Sequence, residues 1–176
     1  ADVVSASKLT ANSRLSGQGV IVLGEGFHLN EAEYLKLIQQ EPTAIHLIKR
    51  YRNGRDITDK SRNLRIIDLY GLNESQVMQY PYIYQRIYEL VRPKRLEMNR
   101  KARRDKWWLF ADSCEEIRNA INGLKRYIVS CRTAKHRVFM FVENDILPDA
   151  KLIAFGLDDA FYLGVLSSVP HIIWSL

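Results

Sequence analysis

Little cysteine, no histidine cluster, no long apolar run and no glycine-rich phosphate loop: these absences exclude much of what a chain of 176 residues can be. The two cysteines, Cys114 and Cys131, fit neither a disulfide framework nor a zinc spacing. They read as small buried hydrophobes of a reducing compartment. The histidines, His28, His46, His136 and His171, are scattered without metal-ligand spacing, so no metal is expected. No stretch reaches the ~18 consecutive apolar residues of a membrane span, so no membrane partner is expected. The first residues lack the charged front and apolar run of a signal peptide, and a cytoplasmic location is expected. An initiator Met is missing, which predicts a fragment of a longer chain. There are no internal repeats and no low-complexity tracts.

Catalytic groupings are also missing. Gly24-Glu-Gly26 lacks the third glycine and the distal acid of a dinucleotide site, and reads as a turn. Glu143-Asn-Asp145 and Asp158-Asp159 offer carboxylates, but no lysine follows them in the nuclease arrangement. Turn and cap roles suit them better. No Ser, His and acid grouping suggests a nucleophilic triad. The fragment therefore reads as no enzyme by itself, with no cofactor of its own.

What the chain does have is hydrophobic content of 47%, enough for a core without staples, and one concentrated basic segment. Between Arg92 and Trp108 lie Arg92, Lys94, Arg95, Arg100, Lys101, Arg103, Arg104 and Lys106, against only Glu97 and Asp105. That segment alone accounts for the net charge of +6. Clustered cations bind phosphates by releasing condensed counterions, and the adjacent Trp107-Trp108 pair suits either base stacking or core packing. A solvated helix face is the competing reading of the charge run.

Along the chain, residues 1–18 are polar and Ser-rich and read as a loose leading segment, followed by one domain over 19–176. Val20 to Leu23 reads as a strand. Asn30 caps a helix running to about Gln40, with Tyr34, Leu35, Leu37 and Ile38 on its apolar face. Pro42 starts a short helix over Thr43 to Ile48, Asn53-Gly54 marks a turn, and Leu64 to Leu69 reads as a strand. A short helix follows at Glu74 to Met78. Pro81 opens a longer helix with Ile83, Ile87, Leu90 and Val91 buried, and Pro93 interrupts it. Ser113-Cys-Glu-Glu116 has capping-box spacing for a helix ending near Gly123. Strands are expected at Tyr127 to Ser130, Arg137 to Val142, Leu152 to Phe155 and Val169 to Trp174, with a helix at Ala160 to Leu166. Strands and helices mix without β-α-β alternation. The expectation is an α+β fold with a mixed or antiparallel sheet.

Arg132-Thr-Ala-Lys-His-Arg137 lies between two expected strands. Arg and Lys can pair with guanine O6 and N7, and Thr with the thymine methyl. A solvated hairpin end is the alternative.

Several strings then resemble one family in order. Tyr51-Arg-Asn-Gly-Arg-Asp-Ile57 resembles the opening of specificity regions in TaqI-like and MmeI-like adenine-N6 DNA methyltransferases. Arg104 to Phe110, Arg126 to Ile128, Thr133 to Phe139, Ile146 to Pro148 and Asp158 to Ser168 are similar to MmeI-like (type IIL) restriction-modification enzymes. The resemblance implies a target recognition domain that reads double-stranded DNA, beside a methyltransferase domain of the same chain, possibly fused to an endonuclease, that uses S-adenosylmethionine. The family's Asn-Pro-Pro-Tyr/Phe signature is absent here. The resemblance makes Arg132, Thr133, Lys135, His136 and Arg137 candidate base readers, with Arg52, Asn53 and Arg55 next. It makes the cations from Arg92 to Lys106 candidate phosphate contacts and Asp158 to Ser168 a packing segment. An RNA-binding domain or a basic protein-interaction domain are the alternatives, although no RNP-like aromatic strand is visible.

Overall fold

The computed structural model describes residues 13–134 and 136–175. Ser16–Gln18 forms β1, so the loose leading segment does not extend to residue 18. The run Val20 to Leu23 does not become a strand. Val20 bridges Asp149 and Ile21 bridges Asp112, each singly, because Val20 and Val22 turn into the core between two different neighbours. A 3-10 turn at Glu25–Phe27 leads into β2 (His28–Leu29).

Helix α1 (Glu31–Gln40) starts where Asn30 predicts. The Asn30 Oδ1 accepts from the Glu33 amide at 2.9 Å, and the Glu33 carboxylate accepts from the Asn30 amide. Leu37 is buried and Tyr34 and Ile38 pack beside it, but Leu35 faces outward. The 3-10 helix Pro42–Leu47 passes into β3 (Ile48–Arg52), which the sequence pattern does not reveal. Strand β3 carries three cations, Lys49, Arg50 and Arg52, and one buried side chain, Tyr51. Asn53-Gly54 is no turn. Asn53 and Asp56 form a second capping box, and α2 (Gly54–Thr58) begins there.

Then come β4 (Arg65–Ile67), α3 (Glu74–Val77) and α4 (Pro81–Leu90). Ile83, Ile87 and Val91 are buried as expected, whereas Leu90 is exposed. Pro93 separates α4 from α5 (Arg92–Leu96), and α6 (Lys101–Asp105) follows. Helix α7 (Glu115–Ile121) is not capped by Ser113. Cys114 holds the cap position in the left-handed region, and its amide donates to the Asp112 carboxylate at 2.9 Å.

The remaining elements are β5 (Arg126–Cys131), β6 (Phe139–Glu143), β7 (Ile146–Pro148), β8 (Leu152–Phe155), α8 (Ala160–Leu166) and α9 (Val169–Ser175). The apolar run at Val169 is thus helical, not a strand, with Pro170 tolerated in its first turn. Helix α8 is capped by Asp159 but buries none of its residues, so Asp158 to Ser168 does not serve as the packing segment expected of it.

The strands make an antiparallel sheet in the order β1-β8-β5-β6 and a mixed sheet in the order β2-β4-β3-β7. Among the described strands, β3 and β7 alone pair in parallel, Tyr51 opposite Leu147 and Arg52 opposite Pro148. The fold is α+β, as expected. One core lies on the mixed sheet and includes Phe27, Leu29, Ile66, Ile83 and both Trp107 and Trp108. The indole N–H groups stay satisfied, Trp107 by Glu74 and Trp108 by the Leu72 carbonyl. The other core joins α7 to the antiparallel sheet through Ile117, Ile121, Tyr127 and Val129. The Tyr127 hydroxyl donates to the Ile146 carbonyl at 2.7 Å and ties the two sheets together.

Consecutive strands β7 and β8 belong to different sheets, and Asp149 to Lys151 make the crossing. Gly19 lies against that crossing. A Cβ there would fall 2.1 Å from the Pro148 oxygen and 2.5 Å from the Asp149 oxygen. Gly19→Ala is expected to cost about 2–4 kcal/mol in denaturant unfolding, because backbone must move. Gly164→Ala, in α8 with nothing within 4 Å of the new methyl, is expected to raise stability by about 0.5–1 kcal/mol.

Candidate nucleic-acid interface

Two groups of candidate residues, far apart in sequence, meet at one place. The corner between β3 and α2 carries Arg52, Asn53 and Arg55. The loop after β5 carries Arg132 and Thr133. Asn53, Arg55, Thr58 and Arg62 line one wall of an open cleft of about 530 Å³, and Thr133 and Lys151 line the other, while Arg52 and Arg132 adjoin lining residues in sequence without lining it themselves. Gly54 and Cys131 form its floor. The Cys131 thiol donates to the Gly54 carbonyl at 3.5 Å, and a Cβ on Gly54 would already touch the sulfur at 3.4 Å. Burial pushes that thiol's pKa up, so it stays a thiol and packs as a small hydrophobe.

Each candidate has a definite place. Arg132 is exposed. Its amide donates to the Lys151 carbonyl at 2.8 Å, and its Nη1 to the Gln18 side chain at 3.0 Å. Thr133 and His136 are exposed and Arg137 is half-buried. Lys135 lies outside the described residues. Strand β6 starts only at Phe139, so strand alternation does not govern His136 and Arg137. Arg52 is half-buried, and its Nη1 and Nη2 donate to the Tyr51 carbonyl and Asn63. Asn53 spends its side-chain carbonyl on capping α2, while Arg55 is exposed.

The cleft wall around α2 is braced by an ion pair. The Asp56 side chain is fully enclosed and accepts from the Arg62 Nε, Nη2 and amide at 3.1, 2.8 and 2.9 Å, and from the Asn53 amide. Burial alone would raise the Asp56 pKa. The hydrogen bonds from Arg62 and Asn53 outweigh it and lower the value from 3.8 to about 2. Arg62 and Lys151 line the cleft without any motif to mark them in the sequence.

The basic segment sits elsewhere, and no residue from Arg92 to Lys106 lines the cleft. It divides into distinct roles. Arg95 is no phosphate contact. It is 1% exposed, and its Nη2 donates to the Val22 and Leu109 carbonyls at 2.9 Å. Burial, with Arg103 nearby, lowers its pKa to about 10, so it remains a cation at neutral pH. Arg92 donates to the Tyr88 hydroxyl and lies 4.6 Å above that ring. The Arg104 Nη1 closes the turn before α6 on the Met98 and Asn99 carbonyls. Lys94, Arg100, Lys101 and Lys106 are exposed, and Arg103 is half-buried. Trp107 and Trp108 are core side chains and offer no stacking face.

The carboxylates weighed for chemistry are engaged otherwise. Asp145 and Glu143 accept from the Arg50 guanidinium, with Arg50 Nε 2.6 Å from Asp145 Oδ2. Those bonds raise the Arg50 pKa further, and they lower that of Asp145 despite its partial burial. The pair clamps β3 to the β6–β7 turn.

Residues 6–176 match the model of the family described as the MmeI target recognition domain. The chain belongs to this family. Its members are described as target recognition domains. No curated protein matches the chain. A solved structure of the Type IIL restriction-modification enzyme MmeI in complex with DNA superposes with a TM-score of 0.74 over 96% of this chain, at 17% identity. The likeness shows that the two share a fold. This recognition domain spans 22% of the length of that chain. No helix among its described residues is long and apolar enough to cross a membrane.

The Asp56 brace generates a pH dependence. A carboxylate whose pKa is lower folded than unfolded stabilises the fold above its unfolded value and ceases to do so as it protonates. Stability of the recognition domain is therefore expected to fall between about pH 4 and pH 2. Asp56→Asn should flatten that part of the profile and cost about 1–3 kcal/mol at neutral pH. Chemical denaturation of both proteins from pH 2 to pH 7 measures it.

Proposed function

We propose that this domain reads a short double-stranded DNA site for an adenine-N6 methyltransferase carried on the same polypeptide. The observation that carries the reading is the convergence of the β3–α2 corner and the loop after β5 on one donor-rich cleft. Rigid strand ends hold both groups. A bidentate arginine on guanine or a threonine on the thymine methyl needs that rigidity, because a loosely held donor does not discriminate. Thr133 and Arg55, which line the cleft from opposite walls, are the foremost base readers, with Arg132 exposed beside Thr133 and its guanidinium bonded to the Gln18 side chain. His136 and Arg137 belong to the same loop, and Lys135 remains a candidate by its place in the sequence. Arg52 and Asn53 hold the corner in shape, since their side chains bond to the protein itself.

The exposed cations of the basic segment supply sequence-independent affinity. Lys94, Arg100, Lys101 and Lys106 are free to reach phosphates, while Arg95 is not. The division between positioning contacts on the backbone and reading contacts on bases is the general one for such interfaces. The methyl donor, S-adenosylmethionine, belongs to the methyltransferase domain, where the target adenine is flipped out and modified. No residue of this chain is assigned a part in that step. A cytoplasmic location, where DNA and the donor are both found, goes with this reading.

Two outcomes test it in the full-length chain. Changing Arg100, Lys101 and Lys106 together to Ala should weaken binding to every duplex alike and flatten the slope of log K against log salt by about 2–3, roughly 0.9 per lost phosphate contact. An unchanged slope would place the DNA on another face. Changing Arg132 or Thr133 to Ala should instead alter the preferred base at one position, with discrimination falling by a factor of about 5–150. Mapping methylated sites across a genome reads this directly, and an unaltered site would remove these residues from base reading.

A further inference from the structure

The two walls of the cleft are not independent. They are joined by one continuous run of hydrogen bonds through the crossing between the sheets. The Tyr51 hydroxyl donates to Asp149 Oδ2 at 2.5 Å. The Asp149 amide donates to the Arg52 carbonyl at 2.8 Å, so side chain and backbone of Asp149 both grip the end of β3. The other carboxylate oxygen, Oδ1, accepts from the Lys151 amide at 2.8 Å. The Lys151 carbonyl in turn accepts from the Arg132 amide at 2.8 Å. The path therefore runs from the last residues before the β3–α2 corner to the first residue of the loop after β5.

The walls also touch directly through the Cys131 thiol on the Gly54 carbonyl at 3.5 Å, a longer and weaker contact than any bond of this run. Tyr51 is buried at 4% exposure, with its ring edge-on to His28 at 5.2 Å, so its hydroxyl has a single approach. Burial first, then the bond to Asp149, raises the phenol pKa, and Tyr51 remains a donor at all physiological pH. Among the described residues Asp149 forms no ion pair. Its two carboxylate oxygens serve one bond each to the two sides it joins, which is the use expected of a side chain that sets a distance.

We infer that Asp149, gripped by Tyr51, is a positioning residue for sequence reading: it fixes the spacing between Arg55 on one wall and Thr133, with Arg132 preceding it, on the other. The inference rests on the cleft being the reading face. Neither Tyr51 nor Asp149 touches a base. Their part is to hold two reading walls in one register, and a misplacement well under a bond length is enough to spoil bidentate contacts. Losing the clamp should therefore reduce discrimination, not affinity in general.

The test uses the full-length chain and compares wild type with Tyr51→Phe, Asp149→Asn and Asp149→Ala. Tyr51→Phe keeps the buried ring and removes only the hydroxyl, so the core is retained. Each protein is titrated with the preferred duplex, with duplexes changed at one base pair, and with an unrelated duplex, at several salt concentrations. Tyr51→Phe and Asp149→Ala are expected to lower the ratio of affinities for preferred over one-base-changed duplexes by about five-fold. Affinity for the unrelated duplex and the salt slope should stay as in wild type. Asp149→Asn keeps one acceptor oxygen and should recover part of the ratio. A ratio unchanged in both Tyr51→Phe and Asp149→Asn overturns the positioning role and leaves the reading face intact. An equal loss on all duplexes also overturns it, since that is the mark of general destabilisation. A wild-type protein that prefers no duplex sequence defeats the function proposed for the cleft, and this role with it.

Discussion

The crossing from β7 to β8 is the constraint on which the rest of this domain depends. Strand β7 runs parallel to β3 and ends beside it, with Pro148 opposite Arg52. After three intervening residues β8 begins in the other sheet, with Leu152 opposite Cys131 at the end of β5. A crossing this short brings the ends of β3 and β5 to the same side of the molecule. Whatever follows those strands must share a surface. That is why residues 53–55 and residues 133–134 meet although nearly eighty positions separate them. The crossing is also tightly filled. Gly19 packs on its backbone where no side chain fits, and its amide and that of Val20 donate to Leu152 and Pro148 on the two strands it joins.

The helical half shows how charge and structure part company. Pro93 breaks the register between α4 and α5, and the break directs Arg95 inward. Its guanidinium is held by two carbonyls and no carboxylate, with the Nε and Nη1 atoms buried without partners. A buried cation of this kind costs desolvation that neutral hydrogen bonds only partly offset. What it provides is a brace between Val22 and the segment after Trp108. The neighbouring cations remain outside, and their charge faces solvent because the aromatic residues beside them, Trp107 and Trp108, are drawn into the core.

Legibility followed local chemistry. The caps at Asn30 and Asp159 and the start at Pro81 were readable, since each acts within one helical turn. Strand β3 was not, because Ile48 to Arg52 is a mostly charged run whose strand character comes from β4 and β7 on either side. Ser113 offered a cap, but Cys114 holds that position with no side-chain cap bond, its own amide tied to Asp112. Asn53-Gly54 carries a turn signature, yet Asp56 three residues on completes a capping box and begins a helix. The run from Val169 has the composition of a strand but no free sheet edge takes it up, and it folds as helix α9.

Composition and ordered motifs by themselves determined the α+β class, the family and the segments that carry the cations. These depend on residue types and short spacings, which survive in one dimension. Only the tertiary structure decided that Arg95 is a brace, that Lys151 and Arg62 stand beside the loop residues, and that Tyr51 and Asp149 connect the two walls. Each of these follows from which strand ends lie together, and strand pairing is set by burial and topology across the whole chain, which no local window contains.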